Sequence, residues 1–343
     1  MPKRSTRVNF LLTLLSYARP SDSMTELAFR ERFIESVPGA YLDMHGNIHV
    51  AIGESRTLFS CHTDTVARLE GRQTLSYRNG VVKLSRKAKR QKFSCLGADD
   101  TAGVFIMLEM IGARVPGHYI FHYAEECGGI GSSRLADSDS AWLGESFDHA
   151  VAFDRRGTAD VITRQGTRCC SDSFALALAT QLNRANATFK YAPSPNGIFT
   201  DTANYADIIP ECSNLSVGYE REHSSAECLD VDHVLALSDA AQRIDWATLP
   251  VDRDPVQERK DTIAYWASIR ALEDRENDAL HAEYDRKRSI VINMNDYLAD
   301  DDYVEVSPRS YALDPEWEEV QRALERLERE TQAMINEAKR DRR

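Results

Sequence analysis

A chain of 343 residues has room for one large domain with an appendage, or for two modest domains. Apolar residues at 42% and charged residues at 28% describe a globular chain able to bury a sizeable core. No apolar run reaches the roughly 18 residues a membrane crossing needs, so no membrane partner is expected. Forty-two Lys and Arg against 54 Asp and Glu give a net charge of −12, a field that repels phosphate backbones and speaks against nucleic acid as the partner.

The seven cysteines, at 61, 95, 127, 169, 170, 212 and 228, are odd in number, scattered, and contain no C-x-x-C pair. That pattern fits neither a disulfide framework nor a structural zinc finger; it suits a reducing, cytoplasmic compartment. Lys3, Arg4 and Arg7 ahead of Phe10–Leu15 imitate a secretory leader. The apolar stretch is short for one, and Tyr17-Ala-Arg-Pro20 is a poor cleavage site. An opening amphipathic helix is expected there instead.

From Asn9 to about Leu249, strand-like and helix-like segments alternate, the mark of an α/β domain. A second helix is expected over Glu26–Val37. A hairpin follows around Gly46-Asn47, then a short buried strand, Thr57–Cys61, that ends at His62. Leu75–Tyr77 and Val81–Leu84 flank Asn79-Gly80 as another hairpin. Thr101–Ile111 reads as a buried helix, His118–Tyr123 and Ala150–Phe153 as strands, and Phe174–Leu182 and Val231–Leu249 as helices. Past Pro250 the composition turns strongly charged. Long solvated helices are expected over Thr262–Arg286 and Pro315–Lys339, joined by the acidic Asn293–Asp302 stretch. The chain thus divides into a domain over 1–249 and a charged, mainly helical extension over 250–343.

Five segments place His, Asp and Glu where strands end, the rim on which open α/β sheets build their sites. In His62-Thr-Asp64, two positions apart on an extended chain, a carboxylate can hold one imidazole nitrogen while the other faces a metal. Asp99-Asp100, framed by Gly97 and Gly103 before an apolar helix, serves either as a helix cap or as a cation ligand. Glu125-Glu126 closes an apolar strand and precedes a glycine-rich turn. Two such carboxylates repel unless a cation lies between them. Asp154 ends a further apolar strand, and His223 lies on a loop between a strand and a helix. Cys61, Cys95 and Cys127, near these segments, are expected as small packing residues, and His118 and His122 as core histidines.

In this order the segments resemble the co-catalytic di-zinc exopeptidase superfamily: tripeptidase T, the leucyl and glutamyl aminopeptidases, and related acylases and carboxypeptidases. Their pattern is H-x-D, then D within a G-A-D-D-x-A-G-like turn, then E-E followed by glycines, then D, then H. Gly197-Ile-Phe-Thr200-Asp201 is similar to the family's glycine and [ST]-D segment. The resemblance covers about residues 9–249. It implies a three-layer αβα sandwich around a mixed sheet, with the charged helical extension lying outside it. It also implies two Zn²⁺ ions per chain, with Co²⁺ or Mn²⁺ as alternatives.

Carried over, one zinc falls to His62 and Asp154 and the other to Glu126 and His223. Asp99 bridges the two, with Asp100 as the alternative bridge. Asp64 orients His62, and Glu125 is the general acid and base. Thr200, Asp201, Tyr219 and Arg221 are candidate substrate contacts. The gaps 223 − 154 = 69 and 99 − 62 = 37 leave no space for a large lid or dimerisation domain. The shorter gap holds the second hairpin and the basic run Arg86–Lys92, either a solvated edge or a flap attracting an acidic group. The implied activity is hydrolysis of a peptide bond, foremost by an aminopeptidase on short peptides. The alternatives are an N-acyl amino acid deacylase or carboxypeptidase, or an interaction protein working through its C-terminal helices. A homo-oligomer is compatible with these features.

Overall fold

The computed structural model describes residues 3–297. Its centre is an eight-stranded mixed sheet in the order 192–194, 160–162, 211–216, 149–155, 57–62, 117–122, 48–52 and 41–42. The strands Glu211–Ser216, His149–Arg155, Thr57–His62 and Gly117–His122 run parallel, so their carboxyl ends share one edge. The flanking strands Asp160–Ile162 and Ile48–Ile52 pair with them antiparallel.

The period of two along each central strand splits the apolar residues between two layers. Phe59, Tyr119, Phe121, Val151 and Phe153 face one core, which the helices Arg4–Leu15, Ala98–Gly112, Asp172–Ala185 and Val231–Ala241 cover. Leu58, Ile120 and Ala150 face the other, under Leu135, Leu143, Tyr205 and Ile209. This is the three-layer αβα arrangement around a mixed sheet. Within the first layer, Leu11, Leu14 and Leu15 are fully buried, which accounts for the apolar opening of the chain as packing.

Local sequence sets the helix starts. Ser23, Ser171 and Asp230 each accept a hydrogen bond from the backbone N–H three residues on, at 3.1, 3.1 and 3.0 Å. Asn79 and Gly80, at φ of 50° and 78°, make the tight turn between Leu75–Arg78 and Val81–Leu84. That hairpin continues antiparallel into Cys228–Asp230 and forms a small second sheet. The basic run that follows coils into the short helix Arg86–Arg90.

The structure differs from the sequence reading in three places, the first being the second helix, which spans Met24–Phe33 and ends short of the expected Val37. The helix expected over Val231–Leu249 stops at Ala241, and Trp246–Thr248 form a separate 3₁₀ turn. The Trp246 indole N–H donates to the Ala241 carbonyl at 3.0 Å, and the Asp245 N–H donates to Gln181 at 3.1 Å; these bonds replace the next helical turn. The C-terminal helix, expected to start at Thr262, spans Pro255–Tyr297 and so enters the acidic stretch taken as a joint. Pro255 in the first turn and the Asp254 carboxylate, 2.9 Å from the Gln257 N–H, supply its start. The helix expected over Pro315–Lys339 lies outside the described residues. The chain divides into two units after Ala267. Among the described residues no helix is long and apolar enough to cross a membrane.

The second layer carries the histidines expected in the core. His122 is fully buried 3.3 Å from the Tyr205 hydroxyl, and His118 packs on Trp142 and Phe147. Asp43 Oδ2 lies 3.1 Å from His49 Nε2, and His49 Nδ1 lies 2.9 Å from His118 Nε2. Burial alone would raise the Asp43 carboxyl, but bonds from His49 and Asn47 hold it well below the usual carboxylate range. An ionised Asp43 makes His49 Nε2 the donor, so His49 Nδ1 accepts from His118 Nε2–H.

Burial pushes the His118 imidazole down to about 3. The unfolded chain therefore takes up this proton first. The His118 contribution to stability is complete above about pH 6.5 and declines as pH falls from there towards about 3. NMR of the ring nitrogens between pH 7 and pH 5 is expected to show His118 neutral throughout; a midpoint near 6.5 would contradict the buried relay.

Candidate metal centre

The shared edge of the parallel strands gathers the acidic segments. His62 ends its strand fully buried, with Nδ1 3.4 Å from Asp64 Oδ1 and Nε2 3.0 Å from Asp99 Oδ1. Asp99 Oδ2 lies 3.2 Å from His223 Nε2, so the two oxygens of one carboxylate face two imidazoles. Glu126 Oε2 is 3.1 Å from the same His223 nitrogen, and Asp154 Oδ1 is 3.7 Å from His62 Nε2. His62, Asp99, Glu126, Asp154 and His223 thus share a centre, although they come from five separate segments.

Most of them are held from behind. The fully buried Asp64 carboxylate accepts the Glu125 N–H at 3.1 Å and the Glu126 N–H at 3.2 Å, which ties the glutamate pair to the His62 strand end. Thr200 Oγ1 donates to Asp154 Oδ2 at 2.7 Å, and the Tyr219 hydroxyl donates to Asp154 Oδ1 at 3.1 Å. Both hydroxyls expected at the substrate therefore face Asp154. Asn214 brackets the Asp154 backbone, accepting its N–H at 2.9 Å and donating to its carbonyl at 2.7 Å. Asp201 opens a 3₁₀ turn and is 1% exposed. Arg221 is exposed, at a φ of 60°, and its carbonyl accepts from Ser224. Asp100, held open beside Asp99, is fully buried, with Oδ1 accepting the Gly103 N–H at 2.8 Å. A side chain at Gly103 would collide with that carboxylate and with the Phe153 carbonyl.

Three supporting residues had no assigned role in the sequence reading. Asn214 sits in a strand without motif. Glu227 accepts four backbone N–H bonds from residues 96–99. Arg19 is fully buried against the Phe29 ring and donates to the Thr63 carbonyl at 2.8 Å and to Thr101 Oγ1 at 3.0 Å. It fixes the peptide between His62 and Asp64. Its partners Thr63 and Thr101 lie far along the chain, so nothing local to Arg19 signals the role. Among the cysteines, 61 and 95 are buried and 127 is exposed.

The electrostatics are those of a site short of positive charge. Burial pushes Glu125 up to about 10 with help from Asp154, Asp201 and Glu126, against the pull of His62. Burial and neighbouring acids likewise raise Asp201 to about 8 and Asp154 to about 6. Hydrogen bonds to Asp99 and Glu126 raise His223 to about 11. Asp100 Oδ2, Glu126 Oε1 and both Asp201 oxygens are buried without a hydrogen-bond partner. Buried carboxylate oxygens left without a donor in such a cluster suit either a proton or a cation. His62, Asp99 and Glu126 each offer a ligand atom within 4.8 Å of the others, and so do His62, Asp100 and Asp154. Imidazole with carboxylate is a donor set suited to zinc and its first-row neighbours.

No protein-family profile and no curated relative matches the sequence, so the likeness to known proteins is structural. A tripeptidase from Staphylococcus aureus subsp. aureus Mu50 is 15% identical, covers 71% of this chain and 97% of its own, and superposes with a TM-score of 0.57. Aminopeptidase PepT from Bacillus cereus ATCC 10987 is 15% identical over 70% and 97% of the two chains, at 0.54. An aminopeptidase from the archaeon Desulfurococcus kamchatkensis is 14% identical over 74% and 96%, at 0.50. The chain shares the fold of these peptidases. At such identity the likeness is one of fold, and the chemistry follows from the residues themselves.

The hydroxyls behind Asp154 yield a direct test. Thr200→Val keeps the shape and removes one donor to a buried charged acceptor. Denaturant unfolding is expected to show a loss of about 1–3 kcal/mol. An unchanged midpoint and slope would mean that Thr200 does not hold Asp154.

Proposed function

We propose that the chain is a metal-dependent exopeptidase, foremost an aminopeptidase acting on short peptides. The observation that carries this reading is the Asp99 carboxylate set between His62 at 3.0 Å and His223 at 3.2 Å, an arrangement in which one carboxylate could serve two cations. His62, Asp99 and Asp154 would hold one ion, and Asp99, Glu126 and His223 the other. Two zinc ions, when bound, supply Lewis acidity at the scissile carbonyl and bring the pKa of a water from about 15.7 towards 7.

The chain's own residues do the rest. Asp64 keeps His62 in the tautomer with Nε2 free, because its backbone carbonyl lies 3.1 Å from Nδ1 and its carboxylate 3.4 Å from the same nitrogen. Thr200 and Tyr219 each occupy one Asp154 oxygen and thereby fix that carboxylate's rotamer. Glu125, whose backbone N–H is held by Asp64, takes the proton of the attacking water at a carboxylate oxygen. It returns that proton to the departing amine nitrogen. Returning the proton needs a carboxyl whose affinity for protons is raised above its ordinary value, the direction in which burial moves Glu125; the positive charge of bound ions would act the other way and leave it ionised for the first half.

The experiment is hydrolysis of Leu-Gly-Gly alongside an acetylated amino acid, with zinc content measured on the same protein. About two zincs per chain, release of free leucine and loss of turnover with a chelator are expected. Glu125→Gln is expected to lower kcat by about 10²–10⁴-fold while zinc content holds. Acetate from the acetylated substrate and no free leucine would shift the assignment to a deacylase. Full turnover in Glu125→Gln would remove the proposed proton carrier.

A further inference from the structure

Glu227 is 1% exposed, and its carboxylate accepts four consecutive backbone N–H groups. Leu96 N and Gly97 N lie 2.7 and 2.9 Å from Oε2; Ala98 N and Asp99 N lie 2.7 and 3.1 Å from Oε1. Successive amides converge in this way only where the chain turns through a left-handed residue, here Gly97 at φ 69° and ψ 35°. The result is a concave nest of partial positive charge at the start of the Ala98–Gly112 helix, which favours an anion. The chain fills the nest with its own carboxylate. A β-carbon at Gly97 would stand 2.9 Å from Thr65 Cγ2, so glycine serves both the turn and the close approach.

Glu227 lies four residues beyond His223, in a turn closed by its own N–H on the Ser224 carbonyl at 3.1 Å. One carboxylate therefore fastens the segment bearing His223 to the segment bearing Asp99. The two segments meet at the 3.2 Å contact between His223 Nε2 and Asp99 Oδ2. His223 is otherwise loosely placed, with a half-exposed side chain and a φ of 60°. We infer that Glu227 is a positioning residue that sets the separation of Asp99 and His223 and so the geometry of the cation site they share. The inference rests on the reading of that site as a metal centre.

The chain contains its own control. Glu211 is also fully buried and accepts the N–H groups of Ser171, Asp252 and Arg253 at 2.6, 2.8 and 3.1 Å. It pairs with His149 at the start of the strand whose far end carries Asp154, so it staples the opposite edge of the sheet. Losing either carboxylate leaves backbone donors unsatisfied and costs stability. Only the loss of Glu227 should reach the metal.

The test compares metal-stripped wild type, Glu227→Gln and Glu211→Gln by calorimetric titration with Zn²⁺ and by the visible spectrum on titration with Co²⁺. Glutamine keeps the volume but turns an NH₂ group towards two of the four amides. Glu227→Gln is expected to bind about 10–100-fold more weakly and to alter the Co²⁺ spectrum. Glu211→Gln should keep wild-type affinity and spectrum while melting earlier. If Glu227→Gln fails to fold, Glu227→Asp takes its place: the charge stays but withdraws by one methylene, and the same weakening and spectral change are expected. Wild-type affinity and spectrum in the Glu227 variant, or equal weakening in the Glu211 variant, would overturn the inference. Wild type that takes up neither metal would instead sink the metal-centre reading, before any variant is considered.

Discussion

The constraint on which the structure turns is an excess of buried negative charge at one edge of the sheet. Asp64, Asp99, Asp100, Glu126, Asp154 and Asp201 converge there with few cations among them: His62, His223 and the guanidinium of Arg19. Burial and mutual repulsion raise the proton affinity of Asp154 and Asp201, so the cluster invites either protons or metal ions. Such an arrangement persists only if the scaffold holds it in place. Parallel strands do so, because the carboxyl ends of Thr57–His62, Gly117–His122 and His149–Arg155 arrive together and the chain reverses its direction of winding there.

The holding is done by neutral donors and by backbone rather than by opposite charge. Asp64 is satisfied by two peptide N–H groups, Asp154 by two hydroxyls, and Glu227 by four amides of one turn. Donors of this kind orient a carboxylate without neutralising it, which leaves its charge available to a cation. Had Lys or Arg filled these places, the site would be electrically complete and closed to metal. Arg19 is consistent with this logic. Its guanidinium spends its hydrogen bonds on the Thr63 carbonyl and the Thr101 hydroxyl, not on a ligand carboxylate.

Much of this was legible in the sequence, for a physical reason. Strand ends and hairpins announce themselves through period-two apolar runs and Asn-Gly turns, so Thr57–His62, the 75–84 hairpin and the strand before Asp154 were readable. Chemistry-bearing residues cluster at those ends, which is why the segments holding His62, Asp99-Asp100, Glu125-Glu126, Asp154 and His223 could be picked out; the family resemblance then singled out Asp99 and Glu126, and the five side chains lie together in space. What escaped was whatever depends on a distant partner. The Val231–Leu249 segment keeps its apolar spacing past Ala241, so only the Trp246 and Gln181 bonds mark the break. Thr200 and Tyr219 carry no sign of which way their hydroxyls point. Glu227 stood in plain view beside His223, yet its four partners lie about 130 residues away in the chain.

The same non-locality says when the site can exist. His62, Asp99, Glu126, Asp154 and His223 belong to strands and turns joined by crossover helices. No subset of neighbouring segments brings more than part of the cluster together. The site is complete only when the central parallel strands are paired and the Glu227 turn has closed on the Gly97 loop. Cations held among these five residues would therefore favour the fully assembled state over every partial one, by the linkage that makes a ligand selective for the native fold a source of stability. The buried acid that lacks compensation without ions would, with ions bound, tie together the segments that carry the five ligands.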